Sequence, residues 1–420
     1  MRKVLVLIVV SILFASLSVY AGGGQEETTT TTGEQMVHLG AITDITGADA
    51  ALGLEIKRAI ELYVELKNKG GGIEGYPLEI SLVDGQSDPK VYATKAHRII
   101  DSMKVVAAFG GNDISTATAA GKIFQDKKTA FLDIGGTTAT IPLVGDYMFM
   151  TPTPDNDQGR AVAKYIQEDL GFDTISIFKD MSSAYGTKLT EYIEYFFKEF
   201  TNKEDCVPFI PTYNTGDTDY TAQLTRLKAN IGPMGIQAIV LPMWPEDAPR
   251  LVKQARELGI ELPFIGTDGP DTVVLAEIGG DAVEGMIMST LYAKGQPGLP
   301  DGLIAFAQEL ENRYGEDLGS YGAMTWDALT IITTGISDVI SANGKDWWDS
   351  ASLEEKRVAV RDGIAAVDTK ETSQPVSFTD VGSPTRGIVW KVVKNGERVF
   401  LEFKPYESFT PPGINPMPFK

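Results

Sequence analysis

Residues 174–200 read TISIFKDMSSAYGTKLTEYIEYFFKEF, and the reading of this stretch decides the fold. The run 174–179 carries Ile175 and Ile177 on one face, as a strand does, while 187–200 repeats its apolar residues at helical spacing. Ser182-Ser183-Ala184-Tyr185-Gly186 joins them as a short polar loop that opens the helix. The same strand, loop and helix unit recurs along the chain, which is the signature of βαβ units and a mostly parallel sheet. In such sheets ligands settle in the crevice beyond the carboxyl ends of the strands. The layout therefore favours binding over bond-breaking.

Working outward, strands are expected at 37–43, 78–83, 105–110, 130–134 and 147–151, with helices at 52–69 and 89–103. A second set follows 155: helices at 158–170, 187–200, 220–229 and 249–258, and strands at 174–179, 207–213, 238–243 and 264–266. After a strand at 285–291 come three helical stretches, 302–314, 321–341 and 353–364, with no strand between them. The runs 387–393 and 398–403 then flank Asn395-Gly396, a pair that supplies the positive φ angles of a tight hairpin. Those late elements must return to complete the two earlier halves, which requires several crossovers and hence a hinge. The expected fold class is α/β, two doubly wound domains joined by a multi-strand hinge. The expected division is 36–155 plus 290–375 for the N-terminal domain, and 156–289 plus 376–420 for the C-terminal one.

Arg2 and Lys3 precede an apolar run that ends at Val19-Tyr20-Ala21, the form of a secretory signal peptide covering 1–21 and cleaved near Ala21. No cysteine stands there to accept a lipid. Residues 22–35, rich in glycine, threonine and glutamate, read as a flexible leader. About 385 residues remain, too many for one core. The net charge of −20 makes nucleic acid and anionic membrane poor partners. The single cysteine, Cys206, cannot form an intrachain disulfide and is expected to be buried and inert.

The chain resembles the branched-chain amino-acid (Leu/Ile/Val) binding proteins of ABC importers. The resemblance is carried by Thr43-Asp44-Ile45-Thr46-Gly47 with Gly53, by Asp88-Pro89, Ser115-Thr116 and Gly135-Gly136-Thr137, and by Asp157-Gln158-Gly159. It continues through Tyr185-Gly186 and Thr218-Asp219-Tyr220 to Gly266-Thr267-Asp268-Gly269 and Glu284-Gly285. It implies the type I periplasmic binding fold and an exported, periplasmic, monomeric protein that captures a small molecule by hinge closure and delivers it to a permease of an ABC transporter in the membrane. No enzymatic activity, cofactor or metal is implied.

The residues themselves allow a site. Ser115 and Thr116 would cap the helix after Asn112-Asp113, and Gly135-Gly136-Thr137 would end a strand with bare amides, a setting that favours an anion. The resemblance gives Asp113, Gly135 and Thr137 the α-carboxylate and part of the ammonium of an amino acid, and gives Asp268 the pairing with that ammonium. Tyr185 and Trp244 would close from the second half, as amphipathic rings suit a lid. Asp113 stands where the family usually presents a small hydroxyl residue, and Leu52 where an aromatic is common. An acid there repels a carboxylate, which leaves amides, polyamines, hydroxylated compounds or a differently oriented amino acid open as ligands.

Other motifs take plainer readings. Gly70-Gly71-Gly72-Ile73-Glu74-Gly75 fits the dinucleotide-binding spacing but follows a helix, so it is a helix end and turn. His38 and His97 form no metal set. Asn214, Asp217 and Asp219 lack the glycine and glutamate of a calcium loop. An exported hydrolase lacks any nucleophile-elbow or zinc-protease motif, and a receptor-docking ligand sensor would share this fold.

Overall fold

The computed structural model describes residues 35–47 and 49–410; the expected signal peptide and nearly all of the expected leader lie outside the described residues. Five parallel strands form the first sheet: β1 (Val37–Thr43), β2 (Leu78–Asp84), β3 (Ala107–Gly110), β4 (Ala130–Asp133) and β5 (Met148–Met150), in the order β2-β1-β3-β4-β5. Because β2 lies on one side of β1 and β3 on the other, the strand order reverses between β1 and β3. The crevice of such a sheet opens at that reversal, beyond the carboxyl ends.

The second half repeats the plan. Strands β6 (Ile175–Ile177), β9 (Ala238–Leu241), β10 (Phe264–Gly266) and β11 (Ile287–Thr290) run parallel in that spatial order. The strand expected at 207–213 is largely missing. Pro208 and Pro211 carry no N–H for a ladder, so only a bridge from Phe209 to Ser176 and the two-residue pair β7 (Lys179–Asp180) with β8 (Thr212–Tyr213) survive. A two-stranded ribbon, β12 (Asp368–Thr369) with β13 (Val376–Ser377), comes later. The hairpin of β14 (Ile388–Lys394) and β15 (Glu397–Lys404) then adds to β11 antiparallel. Asn395 and Gly396 hold its turn at φ 54° and 76°.

The tail helices explain how the chain is threaded. Asp301–Tyr314, Ser320–Asn343 and Leu353–Ala365 bury Leu303, Phe306, Ile332 and Ile364 in the same core as Leu39 and Leu132 of the first sheet and Ile56 of the helix Ala50–Lys69. A further helix, Lys345–Ser350, sits between them and was not expected. Since β6 to β11 and then β14 and β15 belong to the other sheet, the backbone passes between the two sheets three times. The helix expected at 158–170 begins earlier, at Asp155, and changes at Tyr165 to a π-helical turn. There Tyr165 stacks on Trp390 of β14 at 3.8 Å, and a π turn is one way a helix re-aims such a side chain.

The opening turn of the helix Ala50–Lys69 is pressed onto the loop after β1. A Cβ on Gly53 would stand 1.9 Å from the Asp44 carbonyl oxygen. Helix propensity alone makes Gly→Ala favourable by about 1 kcal/mol, but a clash with backbone cannot relax by rotamer change. Gly53→Ala should therefore destabilise the protein, by about 1–3 kcal/mol, in urea unfolding; a gain in stability would show that this contact is not tight.

Candidate ligand-binding site

The strand ends of both sheets deliver loops to one place. From the first sheet come Asp44 after β1, Gly111-Asn112-Asp113 after β3, and Gly135 to Thr137 after β4. From the second come Tyr185 on the helix Ala184–Thr201, Trp244 beyond β9, and Thr267-Asp268-Gly269 beyond β10. The helix Ser320–Asn343 contributes Tyr321. Between them lies a narrow cavity of about 30 Å³ whose walls include Leu52, Gly135, Trp244, Asp268 and Tyr321. A larger hollow of about 230 Å³, among Lys164, Tyr165, Glu168 and Lys404, contains none of the expected site residues.

Three of the expected residues, Gly135, Trp244 and Asp268, line the cavity directly. Gly135 tolerates no side chain, since a Cβ would come within 2.8 Å of the Gly111 and Asn112 carbonyl oxygens. Tyr185 is buried behind Asp268. It donates its hydroxyl proton to Asp268 Oδ1 at 2.7 Å and takes the Gly269 amide at 3.1 Å, with the Thr267 hydroxyl also at 2.7 Å. Its ring meets that of Trp244 at 5.3 Å and 51°. Gln158 steadies the same corner, its Oε1 accepting from the Asp268 amide and from Ser289 Oγ.

Asp113, Ser115 and Thr116 form a different unit. The cap of the helix Ile114–Asp126 is Asp113, not the Ser115-Thr116 pair: Asp113 Oδ1 accepts from the Ser115 amide at 2.6 Å, the Thr116 amide at 3.0 Å and Ser115 Oγ at 2.7 Å. Thr116 Oγ1 accepts the Asp113 amide in return, closing a capping box. Ser115 is exposed and Thr116 buried. None of the three lines the cavity.

Electrostatics supplies residues the sequence reading missed. Asp133, at the end of β4, and Asp155, at the start of its helix, are both fully buried, and no donor meets any of their four carboxylate oxygens in hydrogen-bonding geometry. The nearest groups, the amides of Gly136 and Gly135 for Asp133 and the Thr137 hydroxyl for Asp155, offset burial only in part. Burial thus pushes Asp133 well above the ordinary carboxylate range, and burial together with the nearby Asp268 charge pushes Asp155 to about 8. Burial also raises Asp268, against the bonds from Tyr185 and Gln158, and raises Asp49 to about 6. Tyr321 is raised by burial first and then by the surrounding charges of Asp268, Asp49, Asp133 and Glu55. The signal available in the sequence was a carboxylate inside the apolar run Ala130-Phe131-Leu132-Asp133-Ile134.

One acid at the edge of the cavity is fully compensated. Asp271 accepts from Lys391 Nζ at 2.7 Å and from Arg398 Nη1 at 2.8 Å, and also from Ser320. Burial would raise its pKa, but the two cations outweigh burial and hold it low.

The loops, the paired sheets and the threefold threading together define a type I periplasmic binding architecture. The chain belongs to the periplasmic binding protein family, which matches residues 36–379. It is 27% identical over 295 residues to the leucine-, isoleucine-, valine-, threonine- and alanine-binding protein of Pseudomonas aeruginosa, covering 70% of this chain and 75% of that one. It is also 27% identical over 254 residues to Leu/Ile/Val-binding protein homolog 2 of Brucella abortus, covering 60% of this chain and 65% of that protein, just under two thirds of its length. Among solved structures it is similar to the Streptococcus pneumoniae branched-chain amino acid transporter substrate-binding protein LivJ in complex with isoleucine, with a TM-score of 0.74, 20% identity, and coverage of 87% of this chain and 99% of that one. A solute-binding protein of R. palustris in complex with benzoate is as near in fold, with a TM-score of 0.71, 19% identity, and coverage of 88% and 96%. One fold thus carries unlike ligands, and specificity must be read from the site.

The buried acids set a pH dependence. A carboxyl whose pKa is higher folded than unfolded keeps its proton longer in the folded state, so stability falls as pH rises between the two values. For Asp155 that window runs from 3.8 to about 8, with a slope of at most about 1.4 kcal/mol per pH unit. Asp155→Asn should flatten the decline in stability between pH 5 and 8, measured by urea unfolding at several pH values. An unchanged slope would show that Asp155 ionises freely.

Proposed function

We propose that this chain is an exported solute-binding protein that captures a small polar molecule between two α/β lobes and delivers it to an ABC permease. The lobes in this reading are 36–155 plus 290–375 and 156–289 plus 376–420, and the protein acts as a monomer outside the cytoplasm. One observation carries the proposal: loops from the carboxyl ends of both sheets converge on a single narrow cavity, while the backbone joins the sheets three times. Such multiple connections restrict relative motion to a hinge. No helix among the described residues is long and apolar enough to cross a membrane.

Binding without chemistry is the reading the side chains favour. His38 bonds Ser81 within the first sheet, and His97 stands exposed beside Asp101; neither lies at the cavity, so no imidazole serves as a base there. Cys206 is buried, and burial raises its thiol pKa, which suppresses the thiolate. Within this proposal Asp268 anchors a ligand cation, with Tyr185 orienting its carboxylate and Trp244 closing over the ligand, while Gly135 shapes the opposite wall and Thr137, buried outside the cavity lining, accepts the Asp155 amide at its carbonyl. Asp113, Ser115 and Thr116 hold the helix that positions that wall.

Two measurements test this. Small-angle scattering should show compaction on adding a solute that binds; superimposable curves at saturation would remove the hinge mechanism. Asp268→Ala should weaken binding of a cationic solute by roughly 2–5 kcal/mol, as expected for truncating one member of a desolvated charge pair, with the fold intact by circular dichroism. Undiminished affinity in a folded variant would exclude Asp268 from the anchor role.

A further inference from the structure

Two side chains carried by helices of the first sheet reach across to the second, and neither contact needs a solute to form it. Ile114 opens the helix Ile114–Asp126, whose Ala117 and Phe124 pack with Phe131 of the first sheet. Its half-buried side chain nevertheless packs against the apolar core of the second half, the one that holds Tyr185, Leu189 and Ile265. It does not line the cavity. Ser320 opens the helix Ser320–Asn343, which is buried in the first core, and donates its hydroxyl at 3.3 Å to Asp271 Oδ2 in the loop beyond β10. The Thr290 hydroxyl, at the end of β11, lies 3.1 Å from the same Ser320 oxygen.

Both side chains are held from behind. Asp113 accepts the Ser115 and Thr116 amides while Thr116 Oγ1 accepts the Asp113 amide, so the backbone that carries Ile114 is fixed by its own capping box. Glu55, on the helix Ala50–Lys69, does the same for Ser320 by accepting the Gly322 amide at 2.6 Å. The receiving side is set as well, since Lys391 Nζ at 2.7 Å and Arg398 Nη1 at 2.8 Å clamp Asp271 from the terminal hairpin. Contacts between parts already in place lose little side-chain freedom on forming, which leaves most of their free energy to hold the two sides together.

Resting on the solute-binding reading above, we propose that Ile114 and Ser320 form a built-in latch between the lobes, which closes a share of the molecules before any solute is bound. Ile114 supplies the larger part by removing apolar surface from water, and Ser320 adds a hydrogen bond to a carboxylate. They are positioning residues. Because a solute is held only between closed lobes, its apparent affinity scales with the closed share, and the latch raises affinity for every solute by one factor. Selectivity stays with the cavity walls, Trp244 and Asp268 among them.

The test is double electron–electron resonance on the full chain without added solute. Spin labels at Lys122→Cys on the helix Ile114–Asp126 and at Lys188→Cys on the helix Ala184–Thr201 read the spacing across the cleft; both positions are exposed, and the buried Cys206 stays unlabelled. The labelled parent should show a short, closed separation, alone or beside a longer one. Adding Ile114→Ala should lower the ratio of closed to open at least about fivefold, and Ser320→Ala at least about twofold, while Ile114→Val, which keeps most of the contact, should lower it less than Ile114→Ala does. Should Ile114→Ala not fold by circular dichroism, Ser320→Ala decides. A parent with only the long separation overturns the latch, and so does an unchanged ratio in the folded variants. The solute-binding reading is judged separately, by compaction in scattering when a solute binds, and survives a failed latch.

Discussion

The buried guanidinium of Arg386 fastens the crossing on which the two-sheet arrangement depends. It donates to the Thr151 carbonyl at 3.0 Å, to Asp327 Oδ2 at 2.6 Å and to Ser373 Oγ at 2.6 Å. Thr151 leaves the first sheet, Asp327 rides the long helix Ser320–Asn343, and Arg386 leads into β14, so one side chain ties separate passages of the backbone. Both members of the ion pair are essentially inaccessible. Such a pair adds little net stability against a well-packed apolar substitute, but losing one partner strands a buried charge at a cost of about 3–5 kcal/mol. Its role is to specify how the strands cross, and a hinge has a defined axis only when they cross in one way.

Burial sorts the remaining acids into two kinds. Asp271 and Asp327 are enclosed by cations and hydroxyls and serve as structure. Asp133 and Asp155 are equally enclosed and lack such partners. Desolvation acts on all four alike, so the difference lies in what stands opposite: for Asp133 the backbone amides of its own loop, and for Asp155 the Thr137 hydroxyl and the Asp268 charge. Stability given up in this way is the ordinary cost of a site prepared for something outside the chain.

The sequence made the frame legible because the frame is set by local pattern. The strands 37–43 and 264–266, the turn at Asn395-Gly396, and the glycine end of the helix Ala50–Lys69 all stand where periodicity and turn chemistry put them. Where two local rules competed the reading slipped: branched and aromatic residues at 207–213 favoured a strand, but Pro208 and Pro211 denied it a ladder. Helix starts slipped as well, because Asp155 and Ala184 open their helices before the apolar repeat becomes visible. The site was less legible. Tyr185, Trp244, Gly135 and Asp268 come together because they follow strand ends, which is a topological fact the sequence exposes. The state of a carboxylate is not of that kind, since it depends on which groups from distant segments surround it.

Asp113 and Asp133 illustrate the difference. By sequence Asp113 stood out, as an acid in a place where a hydroxyl is usual, and its charge argued against a carboxylate ligand. In the folded protein it is absorbed locally: three donors from its own helix start gather on one oxygen, and its charge is stabilised at the positive end of that helix. Asp133, one strand over, looked unremarkable as the end of an apolar run, yet it has no helix start to satisfy it and lies under the glycines that follow its own strand and the neighbouring β3. The same small residues that let a ligand approach the backbone also let this carboxylate press against it from beneath. A loop that would otherwise offer bare amides to an anion is thereby partly engaged from within, because the amides of Gly135 and Gly136 face the Asp133 carboxyl group.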